Sequence, residues 1–235
     1  MSKISNRFIL SALIITSTLL TSCATKFTAA QRAGLSTVAI ARTAVENNAY
    51  TEPSGADIQL RQSLSQSGAS GQAGAAGGLI GALIGEGVAA TQNAMFKGKN
   101  KIYFPAVQRN TPGNIADLMT KSLQGAMKDD RFFGPRVKSS SSNVVTSKVS
   151  SYGLVRTGKD KNGDLLLAAQ VTAEIRLLDS SGKRMFGGVY PGVGGYSYTT
   201  SQYANDPAKS KQTYDSAVSY AVFAFMNGLE TKTAD

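Results

Sequence analysis

The stretch from Leu165 to Leu177 constrains the fold of this chain most, because its apolar and polar residues alternate almost without exception. Such alternation is typical of a β-strand with one face in the core and the other in solvent. The core side is expected to hold Ala169, Val171, Ala173, Ile175 and Leu177, and the opposite side Gln170, Thr172, Glu174 and Arg176. The chain is therefore expected to build a sheet that other elements cover on one face.

Further strands are predicted on both sides of this one. Residues 143–156 predict a strand, which an Asn162-Gly163 hairpin turn connects to the strand at 165–177. A second turn, "DSSGK" at residues 179–183, leads from that strand into a further strand, which ends in a glycine-rich loop over 187–195. Residues 35–45 predict a first strand, 46–72 a polar loop, and 101–107 a short strand that Pro105 confines to an edge. Four tyrosines lie around the glycine-rich loop: Tyr190, Tyr196, Tyr198 and Tyr203. Either one or two of them pack over the sheet edge and the rest are exposed, or they form a partner-binding loop.

Two amphipathic helices complete the pattern. Asn114 is expected to cap a helix that runs to about Lys128, and a last helix over about 213–227 is expected to stop at Gly228. The order strand, long insertion, helix, three strands, helix indicates an α+β fold, with a small, largely antiparallel sheet and two helices on one face.

The insertion contains an unusual segment, "GAAGGLIGALIGEGVAA", at residues 74–90. Small residues recur there at every fourth position, as in a glycine zipper, and Gly77, Gly81 and Gly85 are the candidate residues for helix packing or oligomerisation. A membrane-inserted helix, an oligomerisation helix and a flexible loop near the membrane all remain open. The apolar run between Gln72 and Glu86 has 13 residues, whereas a spanning helix needs about 20.

The N-terminus has the order of a secretory signal peptide, because Lys3 and Arg7 precede an uncharged run over residues 8–20. The next residues, "LTSC", resemble the bacterial lipobox. The resemblance implies cleavage before Cys23, which would carry a covalent diacylglyceryl group and an N-acyl chain. Ala24 then implies, by similarity to proteobacterial sorting rules, an outer-membrane lipid anchor with the protein facing the periplasm. The alternative is a soluble exported protein with a free thiol.

The amino-acid composition of the chain bears on which catalytic, metal-binding and partner-binding functions are expected. The chain has no histidine and only one cysteine, so imidazole catalysis, His-ligated metal sites, disulfides and further thiolate sites are not expected. Removing residues 1–22 leaves 23 basic and 15 acidic residues, a net charge of +8. Because the chain is expected to be exported, anionic lipid headgroups or lipopolysaccharide phosphates are more available partners than nucleic acid, although a merely solvated basic surface is the simpler interpretation. No enzyme activity and no cofactor beyond the covalent lipid are expected.

Residues 100–230 resemble a known class of domain. The resemblance lies in the order of four segments, namely "GNIADLMTKSLQGAMKDDRFFG", "SSYGLVR", "VTAEIRLLDSSGKRMFGG" and a final helix. These residues are similar to the periplasmic domains of envelope lipoproteins, including the curli-secretion channel lipoprotein superfamily, the lipopolysaccharide-assembly lipoprotein and transporter-auxiliary lipoproteins. The resemblance implies an accessory or assembly component acting through protein partners or self-association, with an oligomeric, membrane-inserting channel as the alternative. The expected division is a signal peptide at 1–22, a lipidated tether at 23–34, the first strand, polar loop and glycine-rich insertion at 35–110, and the core at 111–230.

Overall fold

The computed structural model describes residues 27–57 and 94–231. Its strands are β1 (Ala39–Ile40), β2 (Ala44–Val45), β3 (Tyr50–Asp57), β4 (Val144–Lys159), β5 (Leu165–Leu178) and β6 (Arg184–Val193). Its helices are α1 (Ala29–Gly34), α2 (Phe104–Asn110), α3 (Ile115–Asp129), α4 (Thr200–Asn205) and α5 (Pro207–Thr231). Residues 94–100 are also helical and lead into a 3₁₀ turn at Lys101–Tyr103, and a second such turn lies at Gly134–Arg136.

The sheet is mixed and mostly antiparallel, which confirms the predicted α+β class. Strands β4, β5 and β6 pair antiparallel, while β1, β2 and β3 follow one another along the other edge of β4 and run parallel to it. The two turns predicted between the long strands are present, with Gly163 at φ +81° and Gly182 at φ +80°. Long strand β4 therefore forms the spine of the molecule and connects its two ends.

The predicted register of β5 is confirmed. The side chains expected in the core are fully buried and belong to one apolar cluster with the buried faces of α3 and α5. That cluster includes Met119, Leu123 and Met127 of α3, together with Tyr214, Val218 and Phe225 of α5. On the other face, Thr172 and Glu174 are only partly buried and Arg176 is exposed, whereas Gln170, which was also expected in solvent, is buried. Helix packing on one face thus explains the alternation in the sequence.

The three strands β1, β2 and β3 at the N-terminal edge of the sheet differ from the prediction. The single strand expected over 35–45 is interrupted into β1 and β2, and part of the polar loop expected over 46–72 is strand β3. Strand β3 lies at the sheet edge and pairs only with β4 among the described strands, so it can be polar and can contain Pro53. The polar composition of these residues predicted a loop, whereas part of the segment forms an edge strand.

The strand predicted over 101–107 is wrong. These residues form the 3₁₀ turn and the start of α2, whose first turn contains Pro105. Proline has no N–H to donate and its fixed φ suits a first helical turn, so Pro105 begins a helix here and does not mark an edge strand. Phe96 and Val107 from this region are buried in the main cluster, so residues 94–110 belong to the same core as 111–231.

Two boundaries near the C-terminus also differ. The loop expected over 187–195 is strand up to Val193, and α5 is longer than predicted and passes through Gly228 without stopping. A Cβ at Gly228 would lie 2.9 Å from Cζ of Phe186. This glycine therefore allows helix and sheet to pack closely and does not end the helix.

The segment expected to be a tether is packed from Phe27 onward. The Phe27 side chain is 0% exposed and its ring stacks on Phe133 at 6.1 Å between centroids. Helix α1 follows at once, begun by a capping box in which Thr28 and Gln31 bond each other's backbone N–H groups. The expected boundary at residue 34 therefore differs from the structure, because an aromatic side chain early in the segment is buried in the core.

Candidate functional site: a basic cleft at one end of the sheet

A cleft of about 570 Å³ lies beside the β4–β5 hairpin. The helical residues 94–100 and the following 3₁₀ turn form one wall, the hairpin forms another, and the start of α4 closes the third side. Its lining residues are Met95, Phe96, Lys99, Asn100, Ile102, Tyr103, Arg156, Lys159, Gly163, Asp164, Leu165, Thr199, Thr200 and Ser201.

The cleft joins two basic stretches that are far apart in the sequence. Lys99, from "KGKNK" at residues 97–101, places its Nζ 2.6 Å from Oδ1 of Asp164 in the hairpin. The hydrogen bond to Asp164 raises the pKa of Lys99, so this amine stays protonated at neutral pH. Arg156 and Lys159 add two more cations to the lining. The lining therefore has three cations and one carboxylate, and favours a negatively charged ligand.

Two large apolar side chains at the cleft are exposed to an unusual degree. Met95 is 72% exposed and Ile102 is 79% exposed, whereas Phe96 between them is buried and packs 6.0 Å from Phe104 between ring centroids. Phe96 thus fixes this wall to the core while Met95 and Ile102 remain accessible. Apolar groups next to cations form a surface suited to a ligand that is both apolar and acidic.

The hairpin that carries the cationic wall is held by its own turn. Oδ1 of Asp160 accepts hydrogen bonds from the N–H groups of Asn162 and Asp164, at 2.9 Å each. The carboxylate therefore stabilises the hairpin turn that the sequence predicted at Asn162-Gly163. On the third side, Thr199 caps α4 and its hydroxyl lies 3.0 Å from that of Ser201. The lining thus offers cations and hydroxyls on locally rigid backbone.

The cleft and Phe27 lie at opposite ends of the spine. Val38 pairs with Val137 and β1 pairs with the first residues of β4, so Phe27 and α1 are at the start of that strand. The cleft contains Arg156 and Lys159, which are at the end of the same 16-residue strand. At about 3.3 Å per residue, roughly 50 Å of strand separates the two ends. Asp57 pairs with Arg156, so the described residues flanking 58–93 both lie near the cleft.

The candidate site residues from the sequence, Cys23, Gly77, Gly81 and Gly85, lie outside the described residues. Of the four tyrosines, Tyr203 is fully buried, Tyr190 and Tyr198 pack against the core, and Tyr196 is 47% exposed. Burial raises the pKa of Tyr190 to about 12 and also raises the pKa of Tyr203. Packing therefore accounts for three of these side chains.

Sequence reasoning did not find the cleft. The signal was present in "KGKNK", residues 97–101, which lies between apolar Met95 and Ile102, but the residue that Lys99 contacts in the hairpin, Asp164, is 65 positions away. Only the fold brings Lys99 to Asp164.

Comparisons with known proteins do not assign a ligand or a family to this cleft. Neither the protein-family models nor the curated proteins contain a match to this chain. In the part of the chain that the structure describes, no group of three or more Asp, Glu, Cys or His side chains is arranged to hold a metal ion. Across residues 27–57 and 94–231, no helix combines the length and apolar character needed to cross a membrane.

Proposed function

We propose that this chain is a lipid-anchored, non-catalytic lipoprotein of the bacterial envelope, which holds its domain at the outer membrane through Cys23 and binds another polypeptide at the cleft. The observation that carries the proposal is the separation of the two ends. Phe27 is buried at one end, only four positions after the expected lipid attachment point, while the cleft lies at the other.

Anchoring follows from the lipobox and from the short distance to the folded domain. Four residue steps span at most about 14 Å, so acylation at Cys23 would hold the Phe27 end of the domain close to the bilayer. Two or more acyl chains make such anchoring stable. Labelling with a radioactive fatty acid tests this step: the wild-type chain should be marked and Cys23→Ser should not, whereas equal labelling of both would contradict it.

The cleft lies at the end of β4 that is far from the expected anchor, so a polypeptide is a better fit than the lipids of the anchoring membrane. Exposed Met95 and Ile102 provide apolar contact area, and Lys99, Arg156 and Lys159 favour acidic residues on the partner. An accessory or assembly role needs such a surface and needs no catalytic groups.

Photo-crosslinking in cells tests partner binding. A photoreactive amino acid at Ile102 should form an adduct with another protein, whereas the same probe at exposed Lys121 of α3 should not. Charge reversal by Lys159→Glu should reduce the Ile102 adduct, because it removes a cation from the cleft. Absence of any adduct, or equal adducts at both positions, would contradict the proposal.

The same experiment separates self-association from a different partner. An adduct of twice the chain mass would identify a second copy. In that case, replacing Gly77, Gly81 and Gly85 with leucine tests the oligomerisation helix. A loss of the large species in sedimentation of the detergent-extracted protein would favour the oligomeric alternative, and an unchanged distribution would remove it.

A further inference from the structure

A basic surface surrounds Phe132 at the same end of the molecule as Phe27. We infer that this surface, here called the anchor-end collar, binds the headgroups of anionic phospholipids in the membrane that carries the protein. The inference rests on the proposed anchoring at Cys23. The collar consists of Arg32, Lys128, Arg131, Arg136 and Lys138.

Two of the collar's cations are fixed by the fold. The guanidinium carbon of Arg32 lies 4.2 Å from the centre of the Phe132 ring, and that of Arg136 lies 4.0 Å from it. Arg136 also donates from Nε to the carbonyl oxygen of Leu35 at 3.0 Å and from Nη1 to that of Phe132 at 2.7 Å. These contacts connect α1 to the 3₁₀ turn and hold both charges beside the buried Phe27.

The other three cations, Lys128, Arg131 and Lys138, are exposed. Two carboxylates lie within the same stretch, and one of them is already engaged: Oδ1 of Asp130 accepts the N–H groups of Phe132 and Phe133, at 2.8 and 2.7 Å. The two carboxylates, Asp129 and Asp130, do not balance five cations, and the formal net charge of the stretch with Arg32 is +3. The local charge therefore favours an anionic surface.

The position of the collar in the fold favours a lipid surface as its binding partner. Arg32 and Arg136 of the collar lie near the point where the chain enters the fold at Phe27, and the three residues between Cys23 and Phe27 leave little room for another macromolecule between collar and bilayer. Each Lys or Arg near an anionic surface strengthens binding about fivefold, and the effect is screened by salt. The collar would thus orient a domain that acylation alone leaves free to rotate.

Vesicle sedimentation of the full chain from residue 23, carrying Cys23→Ser so that no acyl chain contributes, tests the collar. Vesicles of phosphatidylcholine alone are compared with vesicles that also contain phosphatidylglycerol, at low and high salt. The collar variant is Lys128→Gln/Arg131→Gln/Lys138→Gln. The matched control, Lys101→Gln/Arg109→Gln/Lys161→Gln, removes the same residue types from exposed positions at the opposite end.

Without substitutions in the collar, the chain should bind the anionic vesicles more tightly than the neutral ones, and salt should weaken that preference. The collar variant should lose about a hundredfold of the anionic preference, and the control should keep most of it. Thermal melting of each variant verifies that it is folded. No anionic preference in the parent chain, or equal losses in the two variants, would overturn the inference. Failure of fatty-acid labelling at Cys23 would instead overturn the proposed anchoring.

Discussion

Gly192 lies where β6 packs closely on α5. A Cβ at this position would overlap the carbonyl oxygen of Ala217 and lie 2.7 Å from the backbone nitrogen of Ala221. Gly192→Ala should therefore separate strand and helix and lower the free energy of unfolding by about 1 to 3 kcal/mol. Gly188→Ala on the same strand is the control, because nothing lies within 4 Å of the added carbon. Urea denaturation measures both, and equal midpoints for the two variants would contradict this packing.

The buried tyrosines make stability depend on alkaline pH. Burial raises the pKa of Tyr190 to about 12, whereas a tyrosine in the unfolded chain ionises near about 10. The stabilisation is therefore complete below pH 10 and is lost as the pH rises from 10 to 12, because the unfolded state releases its proton first. Urea midpoints should fall over that interval, and Tyr190→Phe should flatten the fall. Midpoints that rise over the interval would show that the sign is wrong.

Burial also decides which β5 side chains tolerate charge. Val171 is fully buried under the helices, while Thr172 is on the opposite face. Val171→Asp should cost about 4 kcal/mol or more, because it buries a carboxylate among apolar groups, and Thr172→Asp should cost less than about 1 kcal/mol. Similar melting temperatures for the two variants would contradict the register.

At the scale of elements, α1 depends on Phe27. The ring stacks on Phe133 beneath the collar, so Phe27→Ala should lower the free energy of unfolding by about 3 kcal/mol and loosen α1. Gln31→Ala removes the bonds that the Gln31 amide oxygen accepts from the Thr28 N–H and hydroxyl, and should cost about 1 kcal/mol or less. Denaturation together with hydrogen exchange at α1 measures both effects, and a larger loss from Gln31→Ala than from Phe27→Ala would contradict this account.

The elements that the sequence predicted well are those whose pattern reflects the core. Strand β5 alternates because one face packs on the helices, and α3 shows its buried stripe at helical spacing from Ile115 to Met127. The prediction was wrong where a residue had two structural uses. Pro105 suits an edge strand or a first helical turn, and Gly228 suits a helix end or a close packing contact. Contacts with residues that are far away in the chain decide between such uses.

At the scale of the whole molecule, the candidate site could not be predicted from local pattern. The cleft depends on the contact of Lys99 with Asp164, and the collar depends on Arg32 and Arg136 meeting at Phe132. Lys99 and Asp164 are 65 positions apart and Arg32 is 100 positions before Phe132, whereas Arg136 follows Phe132 by four positions. The sequence did suggest anionic headgroups as partners, but it did not divide the basic residues between the collar at one end of β4 and the cleft at the other. That division follows from the length of β4.

The most direct test is energy transfer from each end of the domain to the membrane. In the acylated protein Cys23 is blocked, so Ser139→Cys beside the collar and Asn162→Cys in the hairpin each provide a single thiol for a donor dye. The labelled lipoproteins are placed in vesicles that contain an acceptor-labelled lipid. The account predicts strong transfer from residue 139 and weak transfer from residue 162, about 50 Å of strand away. Equal transfer from both positions, or stronger transfer from residue 162, would contradict a domain that rests on its anchor end and directs its cleft away from the membrane.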